Sequence, residues 1–233
     1  MNIVVTGASK GIGLAVAEAF ATEGNTVFIC ASNEVQLYQT LEKLQTQYPL
    51  CHWKAFPADL STKEGALSFG QWVNDSGLPI DVLVNNAGRF VPGSIHSETD
   101  GTLEQMIHTN LYSAYHVTRC LLPGMIERQK GFIVNICSIA SLHAYSNGGS
   151  YSISKFALMG FSKNLREEVK HHGIKVTSVY PGAVYTASWD GSGVPPNRIM
   201  ESNDIAKMIV AMSQLSPQAV VEDIVLRPQL GDL

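Results

Sequence analysis

The chain has 233 residues, of which 45% are hydrophobic and 15% charged, with a formal net charge of -4 at pH 7. That balance fits one globular domain over 1–233 and excludes a disordered or fibrous chain; the acidity, with no basic run to offset it, argues against a nucleic-acid partner. Cys30, Cys51, Cys120 and Cys137 form no Cys-x-x-Cys pair and have no histidine neighbours at zinc-ligand spacing, so buried thiols are expected rather than disulfides or a metal.

The first five residues already read as a core strand, which leaves no room for a secretory signal, and no later stretch is apolar for long enough to span a bilayer. A cytoplasmic protein with no membrane partner is the expectation. Along the chain, short β-branched runs at 2–5, 26–30, 52–56, 82–84, 132–137, 175–180 and 224–226 predict seven strands. Between them, helical periodicity predicts helices at 12–23, 34–48, 63–74, 102–128, 151–171 and 204–213, with Gly24 and Gly173 where helices should end. Such alternation predicts an α/β fold, a doubly wound parallel sheet of the Rossmann type with helices on both faces. The Gly/Pro-rich stretch 190–197 reads as a mobile loop.

The first strand runs directly into Thr6-Gly7-Ala8-Ser9-Lys10-Gly11-Ile12-Gly13 and then a helical pattern. Glycines at 7, 11 and 13 permit a sharp turn, close approach of a pyrophosphate and tight helix packing, and the helix N-terminus offers unpaired N–H groups to the anion. Further along come Asp59-Leu60 after the third strand, Asn85-Asn86-Ala87-Gly88 after the fourth, Asn110 in the next helix and Ser138 at the end of the fifth strand. Tyr151-Ser152-Ile153-Ser154-Lys155 and then Pro181-Gly182, with Val184 and Thr186 close behind, complete the series.

In this order and spacing the motifs resemble the short, single-domain branch of the short-chain dehydrogenase/reductase family, and the resemblance covers essentially the whole chain. The C-terminal stretch from Pro181 and the segment 221–228 are more loosely similar to sepiapterin and carbonyl reductases. The resemblance implies an oxidoreductase acting on CH-OH or carbonyl groups. It assigns Tyr151 as general acid/base, Lys155 as the group that lowers its pKa and holds the nicotinamide ribose, Ser138 to the substrate oxygen and Asn110 to a proton relay. Lys155 lies one helical turn beyond Tyr151 on the same face, where an ammonium favours the phenolate.

The same resemblance gives the dinucleotide contacts: Gly7, Ser9, Lys10, Gly11, Ile12, Gly13, Ser32, Asn33, Asp59, Leu60, Asn86, Ala87, Gly88, Tyr151, Lys155, Pro181, Gly182, Val184 and Thr186. The stretch Cys30-Ala31-Ser32-Asn33 lacks the carboxylate that rejects a 2′-phosphate, and Lys10 lies in the glycine turn, so NADP(H) is expected over NAD(H). His108 and His116 read as packing or surface residues. His143, Tyr145 and Trp189 are candidates for the substrate pocket, and the short covering loop, roughly 187–202, suits a small substrate. Family members of this length imply a homodimer or homotetramer, pairing through the helices at 102–128 and 151–171 and the last strand. The competing function is a dinucleotide-binding regulator without turnover, which typically lacks the tyrosine or the lysine.

Overall fold

The computed structural model of the protein describes residues 1–186, 189, 191 and 193–232. Its seven strands are β1 (Asn2–Val5), β2 (Thr26–Ala31), β3 (His52–Pro57), β4 (Val82–Asn85), β5 (Gly131–Ile136), β6 (Ile174–Pro181) and β7 (Asp223–Leu226). Every end falls within one residue of the expected one. All neighbouring strands pair in parallel, in the order β3-β2-β1-β4-β5-β6-β7. β1 is followed on one side by β2 and on the other by β4, so the topological switch point lies at its carboxyl end, where ligands of open α/β sheets bind.

Both faces of the sheet are covered, which is why stretches such as Ile3-Val4-Val5 and Val27-Phe28-Ile29-Cys30 are apolar without interruption. Ile3 and Val5 point into a core shared with α1 (Gly11–Ala19), α2 (Glu34–Gln47) and α7 (Ser202–Ser213). Val4 points oppositely, into a core shared with α3 (Lys63–Asn74), α5 (Ser113–Glu127) and α6 (Gly149–Val169). β2 alternates the same way, Val27 and Ile29 against Phe28 and Cys30. No helix among the described residues is long and apolar enough to cross a membrane.

Two helices differ from expectation. α1 ends at Ala19 rather than at 23, because the Asn25 side chain donates to the Phe20 carbonyl and Ala21 N–H turns back to Glu18. Gly24 then serves the turn into β2 with a positive φ of 75°. The single helix expected over 102–128 is instead α4 (Thr102–Ile107), a π-helical turn (His108–Tyr112) and α5. Asn110 sits in that π turn, fully buried.

A row of buried polar side chains crosses the α5/α6 face in one register: Asn85 is paired with Asn135 and Asn135 with Ser178. Asn85 Nδ2 donates to Thr118 Oγ1 and to Asn135 Oδ1, each at 2.9 Å, and Asn135 Nδ2 donates to Ser162 Oγ at 2.9 Å. The Ser178 hydroxyl closes the row on Ser162 Oγ at 2.8 Å. Asn135→Ala removes the middle link and strips partners from two buried groups, which should cost about 2–4 kcal/mol and roughly 5–15 °C in Tm. Thermal unfolding within about 2 °C of wild type would show that the row contributes little.

Candidate active site

The glycine turn is built for close backbone approach. Gly7 and Gly11 have φ values of 65° and 58°. A Cβ on Gly13 would lie 2.4 Å from both the Gly7 carbonyl oxygen and Asn86 Nδ2, so only glycine fits. Asn86 rivets the turn: its Nδ2 donates to the carbonyls of Thr6 and Gly7 at 2.9 and 3.0 Å, while Thr6 Oγ1 accepts from the Asn86 and Ala87 N–H groups. Thr40 Oγ1 donates to the Ser9 carbonyl, tying the turn to α2. Lys10, exposed and extended, precedes a helix whose first turn has no side-chain cap. Those N–H groups, with the missing Cβ atoms, fit a pyrophosphate.

At the end of β2, Ser32 and Asn33 are exposed, and Asn33 Oδ1 accepts from Gln36 N–H as the N-cap of α2. Its side-chain carbonyl oxygen is thereby committed, which leaves its amide N–H groups as the donors of an exposed side chain. Asp59 spends one carboxylate oxygen on the N–H and hydroxyl of Ser61. The Leu60 side chain belongs to the core, so a contact from Leu60 runs through its backbone. Beyond β6, Gly182 N–H donates to Leu226 and Val184 is bridged to Met200. The Thr186 methyl comes back over the glycine turn, 3.2 Å from where a Gly11 Cβ would be. Residues 187 and 188 of the expected covering loop, and residues 190 and 192 within the stretch read as mobile, lie outside the described residues. Trp189 is half-buried, its N–H on the Thr186 carbonyl.

Ser138, Tyr151, Lys155 and Asn110 converge from β5, α6 and the π turn. Ser138 follows the end of β5, where its Oγ accepts from Ala140 N–H and Ser141 Oγ accepts from Ser138 N–H. Ser152 Oγ, one residue after Tyr151, donates to the Ala140 carbonyl at 2.9 Å and binds this turn to α6. Lys155 is buried, and its Nζ donates to the Ile136 carbonyl at 2.8 Å. A Cβ on Gly88 would stand 3.2 Å from Asn110 Oδ1 and 3.6 Å from Lys155 Nζ, which brings the Asn-Asn-Ala-Gly element against both.

Burial governs the titration of these groups. It pushes the Tyr151 phenol up to about 12, opposed by a hydrogen bond with the Ser138 side chain. It pushes the Lys155 ammonium down to about 8. The expected lowering of Tyr151 by Lys155 is therefore not realised: Lys155 Nζ lies 5.9 Å from the Tyr151 ring centroid and is engaged with Ile136. Burial therefore favours the protonated phenol.

Asn110 also differs in detail from its expected place inside an α-helix. Its Oδ1 accepts from Arg89 N–H at 2.7 Å, and its Nδ2 donates to the Arg89 carbonyl at 3.0 Å and to Ser154 Oγ at 2.8 Å. The side chain is a cross-tie between the segment after β4 and the helix that carries Tyr151. The π turn supplies the extra residue that aims it there.

Phe90 was not among the expected site residues. Its ring meets that of Tyr151 edge-on, centroids 4.8 Å apart, and is 45% exposed. Tyr145, 46% exposed, lies close enough to raise the Tyr151 pKa further. His143 is exposed, and the His108 ring lies tilted against that of Tyr112. Only the position of Phe90, two residues past the Asn-Asn-Ala-Gly element, hinted at its place.

Comparison with known proteins identifies the family. The profile of the short chain dehydrogenase family matches residues 1–193. An oxidoreductase of Staphylococcus epidermidis is 29% identical over 228 residues, covering 97% of this chain and 96% of the relative. The 3-amino-tetrahydro-pyrrolizinone reductase of Xenorhabdus hominickii is 32% identical over 204 residues, 87% of this chain and 68% of its own. L-sorbose reductase from Gluconobacter frateurii, solved with NADPH and L-sorbose, superposes with a TM-score of 0.88 at 27% identity, covering 97% of this chain and 94% of that one. The chain belongs to the short-chain dehydrogenase/reductase family of oxidoreductases.

Proposed function

We propose that this protein is an NADP(H)-dependent oxidoreductase that interconverts a small ketone or aldehyde and its alcohol. The observation that carries the reading is the placement of the Tyr151 phenol beside Ser138 and one helical turn from a buried lysine, where burial favours the protonated form. Carbonyl reduction needs a hydride on carbon and a proton on oxygen. A bound reduced nicotinamide supplies the hydride. Ser138 Oγ–H donates to the substrate oxygen, and Tyr151 gives up its proton as negative charge develops there. Lys155 then stabilises the phenolate and holds the ribose. The Asn110 side chain keeps α6 in register, which leaves the proton relay to its backbone carbonyl.

The phosphates would rest on Gly7, Ser9, Gly11, Ile12 and Gly13, and a 2′-phosphate would meet Lys10, Ser32 and the Asn33 amide. NADPH in the L-sorbose reductase structure supports this preference. Lys10→Ala should weaken NADPH binding about tenfold and leave NADH binding nearly unchanged, as read by cofactor fluorescence titration. Equal affinities that do not respond to the substitution would remove the specificity argument.

The half-exposed rings of Phe90 and Tyr145 beside the phenol favour a substrate with a flat apolar portion next to its carbonyl. A homodimer or homotetramer is the expected assembly. Leu103, Tyr112, Ile153 and Phe156 leave apolar surface exposed on α4, the π turn and α6, and sedimentation equilibrium tests for pairing through it.

A further inference from the structure

We infer that Glu98 is a positioning residue for Tyr151, an N-cap supplied to the catalytic helix from a distant loop. The inference rests on the reductase reading of Tyr151. α6 starts with no side-chain cap from its own N-cap residue, Gly148. The Glu98 carboxylate fills that role from 52 residues upstream: one oxygen accepts from Ser150 N–H at 2.8 Å and the other from the Ser150 hydroxyl. Ser150 is buried and immediately precedes Tyr151. An anion at this end of a 21-residue helix is also favoured by the helix dipole.

The slot that admits the carboxylate is built by two glycines. A Cβ on Gly149, whose φ is 37°, would lie 2.0 Å from Glu98 Oε1, and a Cβ on Gly93 would lie 2.7 Å from Glu98 Cγ. The two loops are joined beside it as well. Ser94 Oγ donates to Asn147 Oδ1 at 2.7 Å, Gly93 N–H donates to the Asn147 carbonyl at 3.1 Å, and Asn147 holds a left-handed φ of 62°. Glu98 N–H in turn donates to the Ser94 carbonyl. The loop that carries Phe90 and the helix that carries Tyr151 are thus held together at Glu98. A loosened latch lets the phenol drift from the carbonyl oxygen, and proton transfer is sensitive to displacements of about 1 Å.

The test compares Glu98→Ala, Glu98→Gln and wild type in single-turnover reduction, with dinucleotide Kd and Tm measured alongside. Glu98→Ala is expected to lower kcat about tenfold with dinucleotide Kd within about twofold. Glu98→Gln, whose carbonyl oxygen still accepts from Ser150 N–H, should recover most of that loss. A kcat unchanged in Glu98→Ala, or a loss that tracks dinucleotide affinity or Tm with no recovery in Glu98→Gln, overturns the inference and leaves the reductase reading standing. Should Glu98→Ala fail to fold, Ser150→Ala, which removes only the hydroxyl donor, decides: about a threefold lower kcat supports the latch, and an unchanged kcat overturns it. A wild-type protein that binds dinucleotide and reduces nothing overturns the reductase reading, and the inference falls with it.

Discussion

Tyr151→Phe should lower the rate of carbonyl reduction by about 10³-fold while leaving dinucleotide affinity within about twofold, measured by single-turnover kinetics and fluorescence titration. The substitution removes one oxygen and keeps the ring that packs against Phe90. Ser138 loses its hydrogen bond with the phenol but stays in its turn, because Ala140 and Ser141 still hold it. The substrate oxygen would then keep a hydrogen-bond donor and lose its acid. Residual activity above about a tenth of wild type would remove Tyr151 from that role.

Lys155→Met should lower kcat by about 10²–10³-fold, since the phenolate left after proton transfer would have no cation beside it. Its pH signature is specific. With the Lys155 pKa pushed down to about 8, the wild-type rate should decline above that pH as the ammonium is lost. Stability of the ligand-free protein moves the other way. From about pH 8 up to the ordinary lysine pKa, the unfolded chain holds a proton that the folded protein has released, so unfolding free energy rises with pH across that window. Denaturant titrations at several pH values should show the rise in wild type and its loss in Lys155→Met. A wild-type profile with no alkaline decline near pH 8 would contradict this assignment.

The sheet was legible because parallel strands covered on both faces are apolar without interruption, as in Val27-Phe28-Ile29-Cys30, and the glycine turn and Tyr151/Lys155 spacing are local patterns. What the sequence did not reveal depends on contacts between distant segments. The π turn at Asn110 answers to Arg89 and Ser154, 21 and 44 residues away, and nothing in His108-Thr109-Asn110-Leu111-Tyr112 marks it. The early end of α1 depends on Asn25 reaching back to Phe20. The direction of the Tyr151 shift was missed because helical spacing places Lys155 nearby but does not say how deeply the pair is buried. Phe90 and Glu98 lie in a loop of no motif, and their roles emerge only where that loop meets α6.

The most direct test of the central claim follows loss of reduced-nicotinamide absorbance when the purified protein meets NADPH, then NADH, with a panel of diketones, aldehydes, ketoesters and a pterin. Tyr151→Phe runs in parallel. Consumption of NADPH faster than NADH with at least one class of carbonyl, abolished in Tyr151→Phe, is the predicted result. Tight NADPH binding with no consumption across the panel would contradict it and point instead to a dinucleotide-binding regulator.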